Sequence, residues 1–366
     1  MLSLSNTESM DISYIQVTTS CLWSMVGIHS RLKAAVVGFI VAIGVFAALF
    51  WLIDVDRFLQ ELGQANLVII GIMIVIAFVW LVFWSLSLRT VLGVLDARLT
   101  VMSSFLAYSS ALFSNNITPF GQAGGEPVAA VFISRISSVD YDTGLASIAS
   151  VDAIHFVPSI TYALLGLAYY AIFLTIGQYL VIAVVVVVAF AIIVPALLYL
   201  GWRYRYWIER RAIDVLVPLL DRVGRLIPRV STPDPESIEQ YVENFFESIE
   251  RVTTDQRTVS IAIAFSALGW FLQIVLLWLA FVSIGHRIPL YVALLVIPIG
   301  NIASIAPFPG GLGAVETVFI GLLTSLTGVN VAVVTAAVLI YRGLVYGLPT
   351  IVGGSTIALL SARASI

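Results

Sequence analysis

The chain is poor in most of the residues that chemistry at an active site draws on. Its 366 residues include one cysteine, Cys21, three histidines and a single lysine, Lys33. One thiol excludes an intrachain disulfide, so cysteine usage says nothing about an oxidising compartment. No His/Cys motif has metal-site spacing, and neither a metal nor any other cofactor is expected. Charged residues are only 11% of the sequence and the formal net charge is −3, which leaves no basic footprint for nucleic acid.

What the chain has instead is apolar length. Hydrophobic residues make up 60% of it and the mean hydropathy is +1.04, far from a soluble average. Charge-free runs lie at Ala34–Ile53, Leu67–Leu88, Ile160–Ile176, Leu180–Leu200, Ile261–Ile284 and Val331–Tyr341, the last continuing to Leu360 beyond Arg342. Most approach or exceed the roughly 20 residues that cross a bilayer as helix. The expected class is an all-α polytopic membrane protein with about six full spans. Residues 1–30 are mostly polar and no small-x-small site follows the first run. They read as an N-terminal cytoplasmic segment ahead of a permanent span, not as a cleaved signal.

Arginine orients the spans. Arg31 and Lys33 precede the first run, Arg89 and Arg98 follow the second, and the insert 201–257 carries Arg203, Arg205, Arg210, Arg211, Arg222, Arg225, Arg229, Arg251 and Arg257. With these facing the cytoplasm, the loop Asp54–Asn66 and the turn at His286-Arg287 face outside. Both termini are then cytoplasmic, in a multi-pass protein of the plasma (cell) membrane. Within the insert, Ser231–Glu236 reads as a turn and helix start. Beyond it Ile238, Tyr241, Phe245 and Ile249 recur at helical spacing opposite Glu239, Glu243, Glu247 and Glu250. An amphipathic helical pair on the membrane face is expected, basic over 204–227 and acidic beyond.

Two apolar runs are broken by related motifs. Asn115-Asn116-Ile117-Thr118-Pro119-Phe120-Gly121-Gln122-Ala123-Gly124-Gly125-Glu126-Pro127 is one. Asn301-Ile302-Ala303-Ser304-Ile305-Ala306-Pro307-Phe308-Pro309-Gly310-Gly311-Leu312-Gly313-Ala314-Val315-Glu316 is the other. Each passes from an amide side chain through Pro and Phe to paired glycines and a lone glutamate. The topology requires each surrounding segment to enter and leave on one side, so each is read as a re-entrant helical hairpin, and the two enter from opposite faces. The membrane domain 31–360 then divides into halves at about 67–175 and 258–360, each span, hairpin, span, as in an inverted-topology repeat whose broken helices meet at the substrate site.

Ionisable residues inside spans are costly and face cavities or one another. Here they are Glu126, Arg135, Asp152, His155, Glu316 and Arg342. Either glutamate could simply cap the second arm of its hairpin; their duplication argues for a role in a site. Arg135 can snorkel. Arg342 requires a carboxylate partner or an anionic ligand. Asp152 and His155 share a helical face, as a hydrogen-bonded interior histidine or as a proton relay. Asn116, Thr118 and Asn301 could cap the broken helices or bind a polar headgroup. Gly124, Gly125, Gly310 and Gly311 leave backbone amides open to an anion such as phosphate.

The two motifs resemble those of the lysylphosphatidylglycerol synthase transmembrane region, or flippase-like domain family, over roughly residues 30–360. The shared positions are Asn116, Thr118, Pro119, Gly124, Gly125, Glu126 and Pro127, then Pro307, Pro309, Gly310, Gly311, Gly313 and Glu316. Asp152 falls where the family tends to place an acidic residue. The resemblance implies a membrane protein that handles lipids or lipid-linked headgroups, which would be its partners. Only six residues follow Leu360, so the soluble transferase domain of the full synthases is expected to be absent and the chain not to be an enzyme. Three readings compete: a lipid transporter or flippase with Glu126, Glu316 and Arg342 on one cavity, a channel or small-solute transporter, and an integral-membrane transferase acting on a lipid phosphate. The oligomeric state is left open.

Overall fold

The computed structural model describes residues 55–173, 178–211 and 235–364, together with 44, 213 and 214. The expected first span, the segment 1–30 and the turn at Ser231–Asp234 lie outside the described residues, as does most of the basic half of the insert beyond Arg211. Among the described residues every regular element is a helix. In chain order these are α1 (Val55–Gly63), α2 (Leu67–Val94), α3 (Val101–Ile117), α4 (Gln122–Ser137), α5 (Tyr141–Phe173), α6 (Gln178–Arg203), α7 (Pro235–Thr254), α8 (Gln256–Ser283), α9 (Leu290–Ile302), α10 (Ala314–Thr327), α11 (Val331–Val345) and α12 (Gly347–Ala364). A short helix, Arg205–Arg211, follows α6 at a bend of 74°.

Five helical stretches are long and apolar enough to cross a membrane, or six if the bent pair at Arg203/Arg205 is one span. The chain is therefore a multi-pass helical membrane protein. Apolar composition alone does not set where these helices start; polar caps do. Asn66, Thr100, Asp255 and Asn330 each accept a backbone amide from the first turn of α2, α3, α8 and α11. The expected outer loop Asp54–Asn66 is helical over α1, because Phe58, Leu59 and Leu62 recur at helical spacing and Phe58 is buried. In α7 the buried stripe runs through Ile238, Ser248 and Val252. Tyr241, expected on that stripe, is 43% exposed, and the helix packs on α5.

Several helices beside the two motifs are short. At about 1.5 Å per residue, α3 and α4 reach roughly 25 Å and α9 roughly 20 Å, against a hydrocarbon core of about 30 Å. α3 and α4 lie side by side across the link 118–121. α9 and α10 do so across two tight 3₁₀ turns, Ala303–Ile305 and Pro309–Gly311. The second break therefore starts at Ala303, within the second motif.

The packing has a reciprocal pattern. α2 lies along α8. α5 lies along α9, and α12 lies along α3. Large buried side chains concentrate where α2, α8, α10 and α11 come together: Trp80, Leu81, Ile274, Phe281, Phe319 and Tyr341. Glycine permits the closest of these contacts, since a Cβ at Gly269 of α8 would overlap the Trp84 ring of α2.

Ion pairs and hydrogen bonds mark two separate ends. At one, Arg251 of α7 pairs with Asp96 beyond α2 at 2.7 Å and donates to the Val94 carbonyl at 3.0 Å. At the other, His286 lies 3.5 Å from Glu61 of α1, and the Asn66 amide donates to the Ser283 carbonyl at 2.7 Å.

Candidate functional site

The second motif is built around a buried ion pair. α9 ends at Ile302, and the chain turns through Gly310 and Gly311 with φ of 56° and 66°. That left-handed region strongly favours glycine. α10 then opens at Ala314, so Glu316 is its third residue. Its Oε2 accepts the Gly313 amide at 2.6 Å, which is the expected capping role. Its Oε1 accepts Arg342 Nε, also at 2.6 Å, with side-chain exposures of 1% for Glu316 and 11% for Arg342. Arg342 further donates to the Gly310 carbonyl at 3.3 Å and sits 5.3 Å from the Tyr346 ring centre. Arg342 thus has the carboxylate partner that its place in an apolar helix required.

The first motif is built on close backbone approach. A Cβ at Gly125 would overlap the backbone N and Cα of Asn115 in α3, and one at Gly124 would overlap the Pro119 carbonyl. Thr118 turns inward and donates to the Ser114 carbonyl at 2.7 Å. The turn needs positive φ at both Phe120 (66°) and Gly121 (54°). Glu126 is the fifth residue of α4, past its first turn. Its carboxyl neighbours that of Asp152 in α5. The capping explanation therefore holds for Glu316 and not for Glu126.

The tips of the two motifs meet. Asn116 Nδ2 donates to the Tyr346 carbonyl at 3.2 Å and to Thr350 Oγ1 at 2.9 Å, while Tyr346 Oη donates to the Asn116 carbonyl at 2.9 Å. A Cβ at Gly121 would stand 2.6 Å from the Ser304 carbonyl, and one at Gly310 would stand 3.1 Å from Asn116 Cα. Asn301, in the last turn of α9, is half-buried.

His155 is held by protein on both ring nitrogens. Tyr108 Oη lies 3.2 Å from Nε2 and Ser266 Oγ lies 2.6 Å from Nδ1. Trp84 stacks on the ring with centroids 4.4 Å apart and donates to the Ser266 carbonyl at 3.3 Å. This is the arrangement of a hydrogen-bonded interior histidine. Asp152 and His155 leave the same helix for different neighbours, one for Glu126 and the other for Tyr108 and Ser266.

The structure thus distributes the charged residues into two pairs, Glu126–Asp152 and Glu316–Arg342, each belonging to one motif. Among the described residues no group of three His, Cys, Asp or Glu side chains is placed to hold a metal ion. Sequence reasoning missed Tyr346, Thr350 and Ser304. A signal for the first two was present: Arg342, Tyr346 and Thr350 are four apart and share one face of an otherwise apolar helix.

Broken apolar helices whose polar motifs meet inside a helical bundle define a polytopic membrane protein with an internal polar junction. Residues 36–353 match the family described as the lysylphosphatidylglycerol synthase TM region, and the chain belongs to that family. It is similar to a UPF0104 membrane protein of Methanothermobacter thermautotrophicus, 27% identical over 280 residues, which cover 75% of this chain and 78% of the relative. It is also similar to a UPF0104 membrane protein of Pyrococcus horikoshii, 22% identical over 322 residues, covering 86% and 94%.

Proposed function

We propose that the chain moves lipids or lipid-linked polar headgroups across the plasma membrane, through a site at the junction of the two motifs. One observation carries the reading: two broken helix pairs, far apart in sequence, bring Asn116, Gly310, Arg342 and Tyr346 into contact in the apolar interior. Irregular backbone at bilayer depth is tolerated where protein or a wet cavity satisfies it, and in transporters it builds the substrate site. Arg342 and Asn116 are donors suited to a phosphate-bearing headgroup, and such a group would compete with Glu316 for the guanidinium.

The topology belongs to the same proposal. α3–α4 and α9–α10 are re-entrant hairpins entering from opposite faces, and the reciprocal contacts α5–α9 and α12–α3 support two inverted repeats about an axis near the α2–α8 contact. The pairing of Arg251 with Asp96 at one end, and of His286 with Glu61 at the other, supports one cytoplasmic and one external end. Both termini lie on the arginine-rich side, and the insert 201–257 lies on the cytoplasmic surface.

Reconstitution tests the reading. In proteoliposomes, Glu126→Gln is expected to abolish movement of a fluorescent phospholipid while leaving the monodisperse elution profile intact. Unchanged lipid movement in this variant would sink the assignment. Solute leak without lipid movement would favour a channel.

A further inference from the structure

Asp152 of α5 is a buried carboxyl, only 9% exposed, that neighbours Glu126 of α4 where the two helices pack together. A carboxylate is acceptor-only, and among the described residues no N–H or O–H donates to Asp152 Oδ2. No ion pair reaches either carboxyl among the described residues. The missing component of the contact is a proton.

Among the described residues the surroundings hold no substitute for it. Tyr108 of α3 and His155 of α5 are the titratable groups facing this region, and they bind one another. α2 and α8 present Trp84 and Ser266 beside His155. Arg89 of α2 is turned to the Leu99 carbonyl, and Arg257 of α8 is exposed. In α7 Arg251 is committed to Asp96, Arg205 pairs with Glu250, and Arg135 of α4 itself is exposed. Tyr291 of α9 stacks on Tyr169, about five turns further along α5. Two anions at this depth with no cation would be prohibitively costly, whereas a pair carrying one proton has a single delocalised charge.

We propose that Glu126 and Asp152 together bind one proton, as a carboxylic acid–carboxylate pair bridging α4 and α5. On binding, a proton from water forms an O–H bond on the more buried Asp152 and hydrogen-bonds to a Glu126 oxygen. On release it returns to water and leaves two carboxylates that repel across the helix contact. α4 packs closely on α5, with a Cβ at Gly144 only 2.9 Å from the Ala130 carbonyl. Glu126 follows Gly125 in the first motif, so separating this pair displaces the motif tip from Ser304 and Tyr346. Resting on the lipid-transport reading, the proton is the coupling ion.

Infrared difference spectroscopy of the purified full chain in lipid tests the site without transport. The wild type is expected to show a protonated-carboxyl band at neutral pH that shifts in D₂O and disappears on alkalinisation, independent of sodium. The band is lost in Asp152→Asn and shifted in Glu126→Gln. Glu126→Asp, which keeps both carboxyls, restores a band if the Gln variant folds poorly. Absence of the band in wild type, its persistence in Asp152→Asn, or its replacement by a sodium-dependent change overturns the proposal. In proteoliposomes a pH gradient is expected to drive lipid movement in wild type and not in Asp152→Asn. Gradient-insensitive movement overturns the coupling. No lipid movement under any gradient, with the band intact, defeats the transport reading and leaves the proton site standing.

Discussion

Tyr346 and Asn116 bind each other twice: the phenol donates to the Asn116 carbonyl at 2.9 Å, and the Asn116 amide donates to the Tyr346 carbonyl at 3.2 Å. The two residues are 230 positions apart. The exchange satisfies a carbonyl in the last turn of α3, which has no partner within its own helix.

Tyr346→Phe removes one side of this exchange and leaves the Asn116 carbonyl without that donor. A loss of about 0.5–1.5 kcal/mol is expected. Thermal unfolding in detergent measures it, and a double-mutant cycle with Asn116→Ala should show non-additivity, since both changes break the same contact. Strictly additive losses would show that the exchange does not hold the tips together.

Breaking the Glu316–Arg342 pair from one side is expected to be severe. Arg342→Met strands a carboxylate in a residue 1% exposed, which costs roughly 3–5 kcal/mol for a buried pair. The double variant Glu316→Gln/Arg342→Met removes both charges and should recover much of that loss. Detergent melting of the single and double variants decides it: a double variant no more stable than Arg342→Met contradicts the stranded-charge account.

Two glycines separate close approach from mere flexibility. Gly125→Ala drives a methyl into the backbone of Asn115, whereas at Gly343 nothing lies within 4 Å of an added Cβ. Overpacking of about 1–3 kcal/mol is expected at Gly125 and a neutral or slightly stabilising change at Gly343. Comparable melting temperatures for the two variants would refute the close contact.

At the start of α8, outside the span, the Thr258 backbone amide holds the Asp255 carboxyl below its ordinary value, aided by the Thr258 hydroxyl. A depressed folded value means the cap stabilises above the unfolded carboxylate range and loses its contribution as pH falls through the folded value. Amide exchange at Thr258, corrected for the intrinsic rate, should rise on acidification in wild type and lose that step in Asp255→Ala.

Much of this arrangement could be read from residue order. The long apolar runs announced α2, α6 and α8, and the Pro-Gly clusters announced the two breaks. Arg342 alone in an apolar run required a partner, and Glu316 supplies it. Pairing was less legible. Two glutamates in matching motifs suggested one shared site, but Glu316 falls in the first turn of α10 and Glu126 one residue past that of α4. That small offset turns one toward amides and Arg342 and the other toward α5. The contact of Gly125 with Asn115 and the cage around His155 depend on how separate helices pack, and nothing in local periodicity encodes that.

The helix that runs through Arg342, Tyr346 and Thr350 is interrupted at a single residue. The Tyr346 carbonyl serves both Thr350 and Asn116, and a side chain inserted into the helical ladder is a known cause of such breaks. One turn before it the helix holds the second motif through Arg342, and one turn after it the first through Thr350. The two motifs therefore share one fulcrum. Displacing either motif changes the load on the other through Tyr346, so the positions of the two cannot be set independently.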